Sequence, residues 1–468
     1  MRLGQLTALT ILLSLAATFA AASPYPRIRD YQLDVTFDPS TSSIEASARV
    51  HADFDAPPTS AIFYLHHELN VDSVKDNRGP IPVTQEQVQY GSNYSGLANK
   101  VTLGVTPLPE GQAFYIYYSG HMRPSSARSP SDYMRIDSSG VYLRSYGYSL
   151  WFPVFLEAGQ NDYPVDFGTV VLRTPPEMRS IFVGSLADDQ IIDNQRVSVW
   201  NAPNIRLFDA QCTARNFDVL YADGLHIYHH PDAVSAAAAK GILACATQLI
   251  DYYTTNYGPA GNHFDNYIVQ MPKYGDISSG NVTGIQDDAW TSFENNWAPK
   301  YTLAHELAHP FVQVEVDCND PIYALAVEGL PSFFHLPALE DVLGFDWYQK
   351  RMTQVEDAYM KRQETGLDNR GNSLPPEKPI DQLTPDDIGE YKDCFVLNDR
   401  AVLFLNYLRT KMGHETFARC VRELLDGDML TMALFVNKMK QCFPDDKEDI
   451  DVWLSTTQYP SKFYMGVF

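Results

Sequence analysis

The chain has 468 residues, 45% of them hydrophobic, and a formal net charge of −23. That length exceeds one ordinary core and predicts two or three domains, while the apolar content excludes a disordered chain. So acidic a surface repels phosphate backbones and anionic membranes, which argues against nucleic acid as a partner.

Residues 1–22 read as an export signal. Arg2 gives a positive start, Thr7–Ala22 is an apolar, small-residue run, and Ala20-Ala21-Ala22 offers a cleavage site before Ser23. The run is short for a membrane span, and no later stretch reaches about 18 uncharged apolar residues. The expectation is a secreted or periplasmic protein without a membrane span. Its six cysteines are Cys212, Cys245, Cys318, Cys394, Cys420 and Cys442. An even count in an exported chain permits disulfides. Cys420 and Cys442 could pair, since both lie in the final helical region. Sequons for N-glycosylation stand at Asn93 and Asn281.

Residues 23–215 read as a β domain. Tyr31–Phe37 and Ser43–Val50 alternate with period two, and Ala61–Leu65, Phe114–Tyr118, Val141–Arg144, Thr169–Arg173 and Val197–Trp200 are further strand candidates. Many short strands between turn clusters predict an antiparallel sandwich or saddle. From residue 216 the pattern changes. Phe217–Tyr221, Gly224–Tyr228 and Asn266–Gln270 still read as strands. Helical periodicity runs over Ala233–Tyr257, Pro321–Leu336, Phe345–Glu364, Cys394–Met412, His414–Leu425 and Met429–Cys442. The fold class is therefore α+β, with a helix-rich second domain over residues 216–468.

The chemistry centres on Tyr301–Pro310, YTLAHELAHP. His305, Glu306 and His309 form H-E-x-x-H. On a helix, positions i and i+4 share a face, so the two imidazoles can point at one zinc ion while Glu306 holds a water. Eighteen residues separate His309 from Glu328, which stands on the next predicted helix. A turn at Cys318–Pro321 would bring it back as a third ligand. Two imidazoles and a carboxylate leave a fourth position open, as a catalytic zinc requires. The alternative is an amphipathic helix with two surface histidines and a solvated Glu328. His226, His229 and His230 form a second histidine cluster, more in keeping with a surface than with a metal. His335 follows Glu328 by seven residues, on the same helix face.

H-E-x-x-H, eighteen residues, then Glu328-Gly329 resembles the signature of the gluzincin aminopeptidases, the group that includes aminopeptidase N. Weaker likeness extends over most of residues 25–440, through Asp30–Val50, Trp151–Phe155 and Asp209–Tyr221. The resemblance implies a thermolysin-like catalytic domain, one Zn2+ ion held by His305, His309 and Glu328, and peptide or protein substrates. It also implies that Tyr391 helps stabilise the oxyanion, beside Glu306 as general base.

Two features depart from that family. Its G-x-M-E-N strand, whose glutamate holds the substrate's amino group, has no equivalent. The matching segment, Ser278–Ile285, makes Gly280, Asn281 and Gly284 the substrate-binding candidates. Aligning Gly284 with the family's glycine puts Asn281 where that glutamate stands, whereas a shifted alignment offers Gln286 or Asp287. The long C-terminal helical domain is also missing. The expected function is a zinc metallopeptidase with altered recognition of amino termini. An endopeptidase on the same scaffold, or an inactive metal-binding module, is the alternative.

Overall fold

The structure, a computed structural model, describes residues 23–54, 60–90, 97–104, 111–122, 134–144, 149–157, 163–260, 265–272, 277–312, 314–317, 319–367, 371, 373–374, 377–384, 396–427, 429–445 and 447–457. Its first half is built of strands. The strand Arg27–Asp38 turns Tyr31, Leu33, Val35 and Phe37 inward at period two, and a bulge between Ile28 and Asp30 keeps Ile28 on the same side. This strand pairs antiparallel with Ser43–Asp53 and parallel with Pro164–Thr174. It lies inside an eight-stranded sheet that runs from Ser185–Ile192 at one edge to Gly79–Pro80 at the other. Sheets of three and four strands complete the domain.

Aromatic rings fill the interior. Tyr31 stacks on Phe167 with centroids 5.2 Å apart and meets Phe152 edge-on at 5.6 Å. Trp151 and Trp200 are wholly buried. Each such ring contributes on the order of 2–3 kcal/mol through removal from water. The strands Leu69–Asp76 and Val83–Gln89 escape a hydrophobicity reading because they are largely exposed and polar.

The second half opens with a five-stranded mixed sheet in the order Asp218–Ala222, Leu225–His229, Asn266–Met271, Val282–Gln286, Ile277–Ser279. Its central strands are buried on both faces. Tyr228, Tyr267, Val269 and Val282 join the β core, while Ile227, Ile268 and Ile285 join the helical core. The sheet thus lies between two hydrophobic cores, which gives an α+β chain of two domains.

Helices cover its other side. The first runs over Ala236–Tyr257 rather than from Ala233, because a turn follows His230 and the Ser235 side chain accepts from Ala238 N–H at 3.1 Å. Likewise Met429–Leu430 is not helical. It pairs with Glu315–Val316, and the helix starts at Met432 with Thr431 as its cap. Two further helices, Asp287–Ser292 and Lys447–Ser455, were not legible as helices in the sequence. Cys420 and Cys442 form the expected disulfide, while Cys212 and Cys245 are free and buried. Cys318, Cys394 and the Asn93 sequon lie outside the described residues. The helical run Ile322–Leu343 is long and apolar enough to cross a membrane, although Glu328 interrupts its apolar stretch, and 83% of its apolar window is buried inside the protein. It is the core helix of this domain.

Candidate metal centre

The helix Ala298–Ala308 carries His305 and Glu306, and His309 opens a 3-10 turn ending at Phe311. Pro310 has no N–H to continue an α-helix, so the backbone tightens just after the second histidine. From the core, the Tyr253 hydroxyl donates to the Ala304 carbonyl at 2.7 Å and buttresses this helix one residue before His305. The third residue comes from the Ile322–Leu343 run. There Leu325–Gly329 forms a π-helical turn with Glu328 within it. Such turns insert one residue into the helical register and recur at functional sites.

The result is convergence. His305 Nε2 lies 3.2 Å from His309 Nε2 and 3.5 Å from Glu328 Oε2. All three ligand atoms fall within 4.8 Å of one another. Tetrahedral zinc with bonds of about 2.05 Å needs donors about 3.3 Å apart. His305, His309 and Glu328 fit a single zinc ion, and they are the one such group among the described residues.

The protonation states suit that role. Burial, then the charge of His305, pushes the His309 imidazole down to about 4, which keeps it neutral. Burial alone would raise the Glu328 carboxyl. The hydrogen bond from His305 and the charges of His309 and His305 outweigh this, and its pKa falls below the ordinary value. A neutral imidazole and an ionised carboxylate are the metal-binding forms.

Glu306 is half-buried beside His305. Tyr391 lies outside the described residues. His335 sits fully buried next to the group, its ring 5.5 Å from that of His305 and 4.1 Å from that of Tyr301. Its Nδ1 faces the Pro331 carbonyl at 3.1 Å. His226 pairs instead with Asp265 at 3.0 Å, away from any metal group.

The strand Ile277–Ser279 is the edge of the five-stranded sheet and packs against the turn that holds His309. Gly284 pairs with Ile277 across the hairpin, and Gly280 makes its turn with φ +55°. Asn281 corrects the sequence reading. It does not face a substrate: it is 1% exposed and its amide is hydrogen-bonded to Gly184 and Asp265. The Asn281 sequon is therefore closed to a glycan in the folded chain. Asp287 is held by Arg215 at 3.2 Å and Gln270 at 2.7 Å.

Sequence reasoning missed the π turn and its support. Gly329 leaves space for Ala401, which ends a second π-helical segment, Val396–Ala401. Only the glycine after Glu328 hinted at close packing there.

No protein-family model matches the sequence, and no curated protein matches it significantly. Solved structures do match. An M1 zinc metallopeptidase from Deinococcus radiodurans superposes with a TM-score of 0.66 at 15% identity, over 94% of this chain and 96% of that one. A mutant of it bound to a Tyr-Ser-Ala substrate gives 0.65 at 15% identity over the same shares. Yeast LTA4 hydrolase gives 0.66 at 14% identity, over 97% of this chain and 72% of that one. The fold is thus that of the M1 zinc metallopeptidases.

Proposed function

We propose that this chain is an exported zinc metallopeptidase, with His305, His309 and Glu328 as ligands and Glu306 as general base. The observation that carries the reading is the 3.2 Å and 3.5 Å spacing of three donors from two separate helices, held beside a glutamate in H-E-x-x-H order. A bound zinc supplies Lewis acidity, polarising a carbonyl and making water easier to deprotonate. Glu306 takes the proton of the attacking water and passes it to the leaving amine. Tyr391 donates its phenol to the oxyanion. The edge strand Ile277–Ser279 offers backbone groups with which an extended peptide can pair. Residues 1–22 act as the export signal, and the β domain spans 23–215.

A second reading concerns where the peptide is cut. The Gly280-Asn281 turn presents no carboxylate, since Gly280 has no side chain and the Asn281 amide is buried and engaged. That favours cleavage not confined to free amino termini. The test is a digest of mixed peptides with free and blocked amino termini, read by mass spectrometry with and without a chelator. Chelator-sensitive cleavage supports the peptidase, and internal cuts support the second reading. Absence of metal-dependent cleavage overturns both.

A further inference from the structure

Asn281 makes an unusual contact for a residue at a hairpin tip. Its Oδ1 accepts from Gly184 N–H at 2.8 Å while its Nδ2 donates to Gly184 C=O at 2.9 Å. Nδ2 also donates to the Asp265 carbonyl, and the Asn281 carbonyl accepts from Tyr267 N–H at 2.9 Å. The side-chain amide thus pairs with both backbone groups of one residue, as a neighbouring strand would. Gly184 belongs to the β domain, between the strands Arg179–Phe182 and Ser185–Ile192. It has φ +105°, and a Cβ there would stand 2.3 Å from the Asn201 carbonyl oxygen. Only glycine fits that position, and its bare backbone is what Asn281 grips.

Few side chains could replace this asparagine. Aspartate keeps the acceptor but puts a second oxygen against the Gly184 carbonyl. Serine supplies one hydroxyl, and glutamine is one methylene too long. The site is dry, since Asn281 is 1% exposed, so water cannot substitute for a lost partner.

The hairpin that ends at this tip has Ile277–Ser279 as its outer strand. That strand lies against the His309–Phe311 turn and is the edge of the five-stranded sheet. We infer that Asn281 is a positioning residue: through Gly184 it locks the peptide-pairing edge strand to the β domain and so sets its place relative to the metal ligands. This rests on the peptidase reading for its functional consequence. The clasp itself does not.

The test uses the zinc-loaded full chain with Asn281→Asp and Asn281→Ala. Hydrogen exchange should quicken at Gly184 and along Ile277–Gln286, while Ala298–Ala308 keeps its protection. For peptides long enough to pair with the edge, KM should rise about tenfold, the scale of losing one or two net hydrogen bonds, with kcat and zinc content near wild type. An amino acid p-nitroanilide, too short to reach along the strand, should show a much smaller change. Asn281→Ser, which keeps one hydrogen-bonding group and adds no charge, decides the matter if these variants fail to fold. Unchanged exchange in the hairpin overturns the clasp. Equal losses on both substrates, or loss of zinc, overturn its role in placing the edge strand. If the wild-type protein cleaves neither substrate, the peptidase reading fails while the exchange data still decide the clasp.

Discussion

Gly329 lies directly against Ala401: a Cβ on the glycine would stand 3.2 Å from the Ala401 Cβ and 2.7 Å from a methyl of Leu325. Two π-helical segments meet at this contact, and one of them holds Glu328. A branched side chain at 329 would crowd both Leu325 and Ala401, press the segments apart and shift the carboxylate. Gly329→Val is expected to weaken zinc binding by about 10- to 100-fold, the range found for residues that orient metal ligands. Competition with a chromogenic chelator measures this, and unfolding of the metal-free variant separates it from a general loss of stability. Wild-type zinc affinity would show that the π turn does not set the ligand.

Glu306→Gln keeps the shape of the side chain and removes the base. Turnover should fall by about 10²- to 10⁴-fold, the span of general-base catalysis. Zinc stoichiometry should stay at that of the wild type, because Glu306 is not among the three converging donors. Elemental analysis alongside peptide turnover checks both. Undiminished hydrolysis would rule Glu306 out.

His66 makes the β domain sensitive to acid. It is 5% exposed, and its Nδ1 accepts from the Glu68 N–H at 3.3 Å. Burial, then the charge of His67, pushes it down to about 3. In the unfolded chain it takes up a proton near the ordinary value of about 6.5. The unfolded state therefore binds more protons between these two values, and stability falls as pH drops through that window. The loss is about 1.4 kcal/mol per pH unit. Chemical unfolding followed from pH 7 to pH 5 should show a steeper fall for wild type than for His66→Gln. Parallel curves would refute the assignment.

The Cys420–Cys442 bridge closes a loop with a sequence separation of 22. Chain-entropy arithmetic gives such a link about 3 kcal/mol of stabilisation. Replacing both cysteines by alanine should lower the unfolding midpoint accordingly. A midpoint equal to wild type would mean that the helices His414–Leu425 and Met432–Cys442 hold each other by packing alone.

The elements legible in the sequence were those with a clean period. Tyr31–Phe37 alternates because one face is buried, and the helix ending at Tyr257 shows its stripe for the same reason. The exposed strand Val83–Gln89, with four adjacent polar residues, carries no such signal. At the site, H-E-x-x-H was readable because helix geometry fixes its spacing, and Glu328 because its distance from His309 resembles the gluzincin signature. Asn281 was misread because spacing alone cannot say which way a hairpin residue turns. Its side chain points to Gly184, 97 positions earlier, and nothing local announces that. The π turn was invisible for a related reason: nothing in Leu325–Gly329 departs from a helical pattern before its last residue, and that residue packs against Ala401, far along the chain.

The strand Arg27–Asp38 has neighbours on both sides, Ser43–Asp53 and Pro164–Thr174. During synthesis the first neighbour arrives almost at once and the second only some 125 residues later in the chain. Until then the sheet can grow on its other flank, where Gln112–His121 pairs with Ser43–Asp53, but the Arg27–Asp38 rim stays open as the chain leaves the ribosome. Such rims recruit other chains. Folding of this domain thus depends on a holding factor, or on synthesis fast enough that the late strand closes the rim before a stranger does.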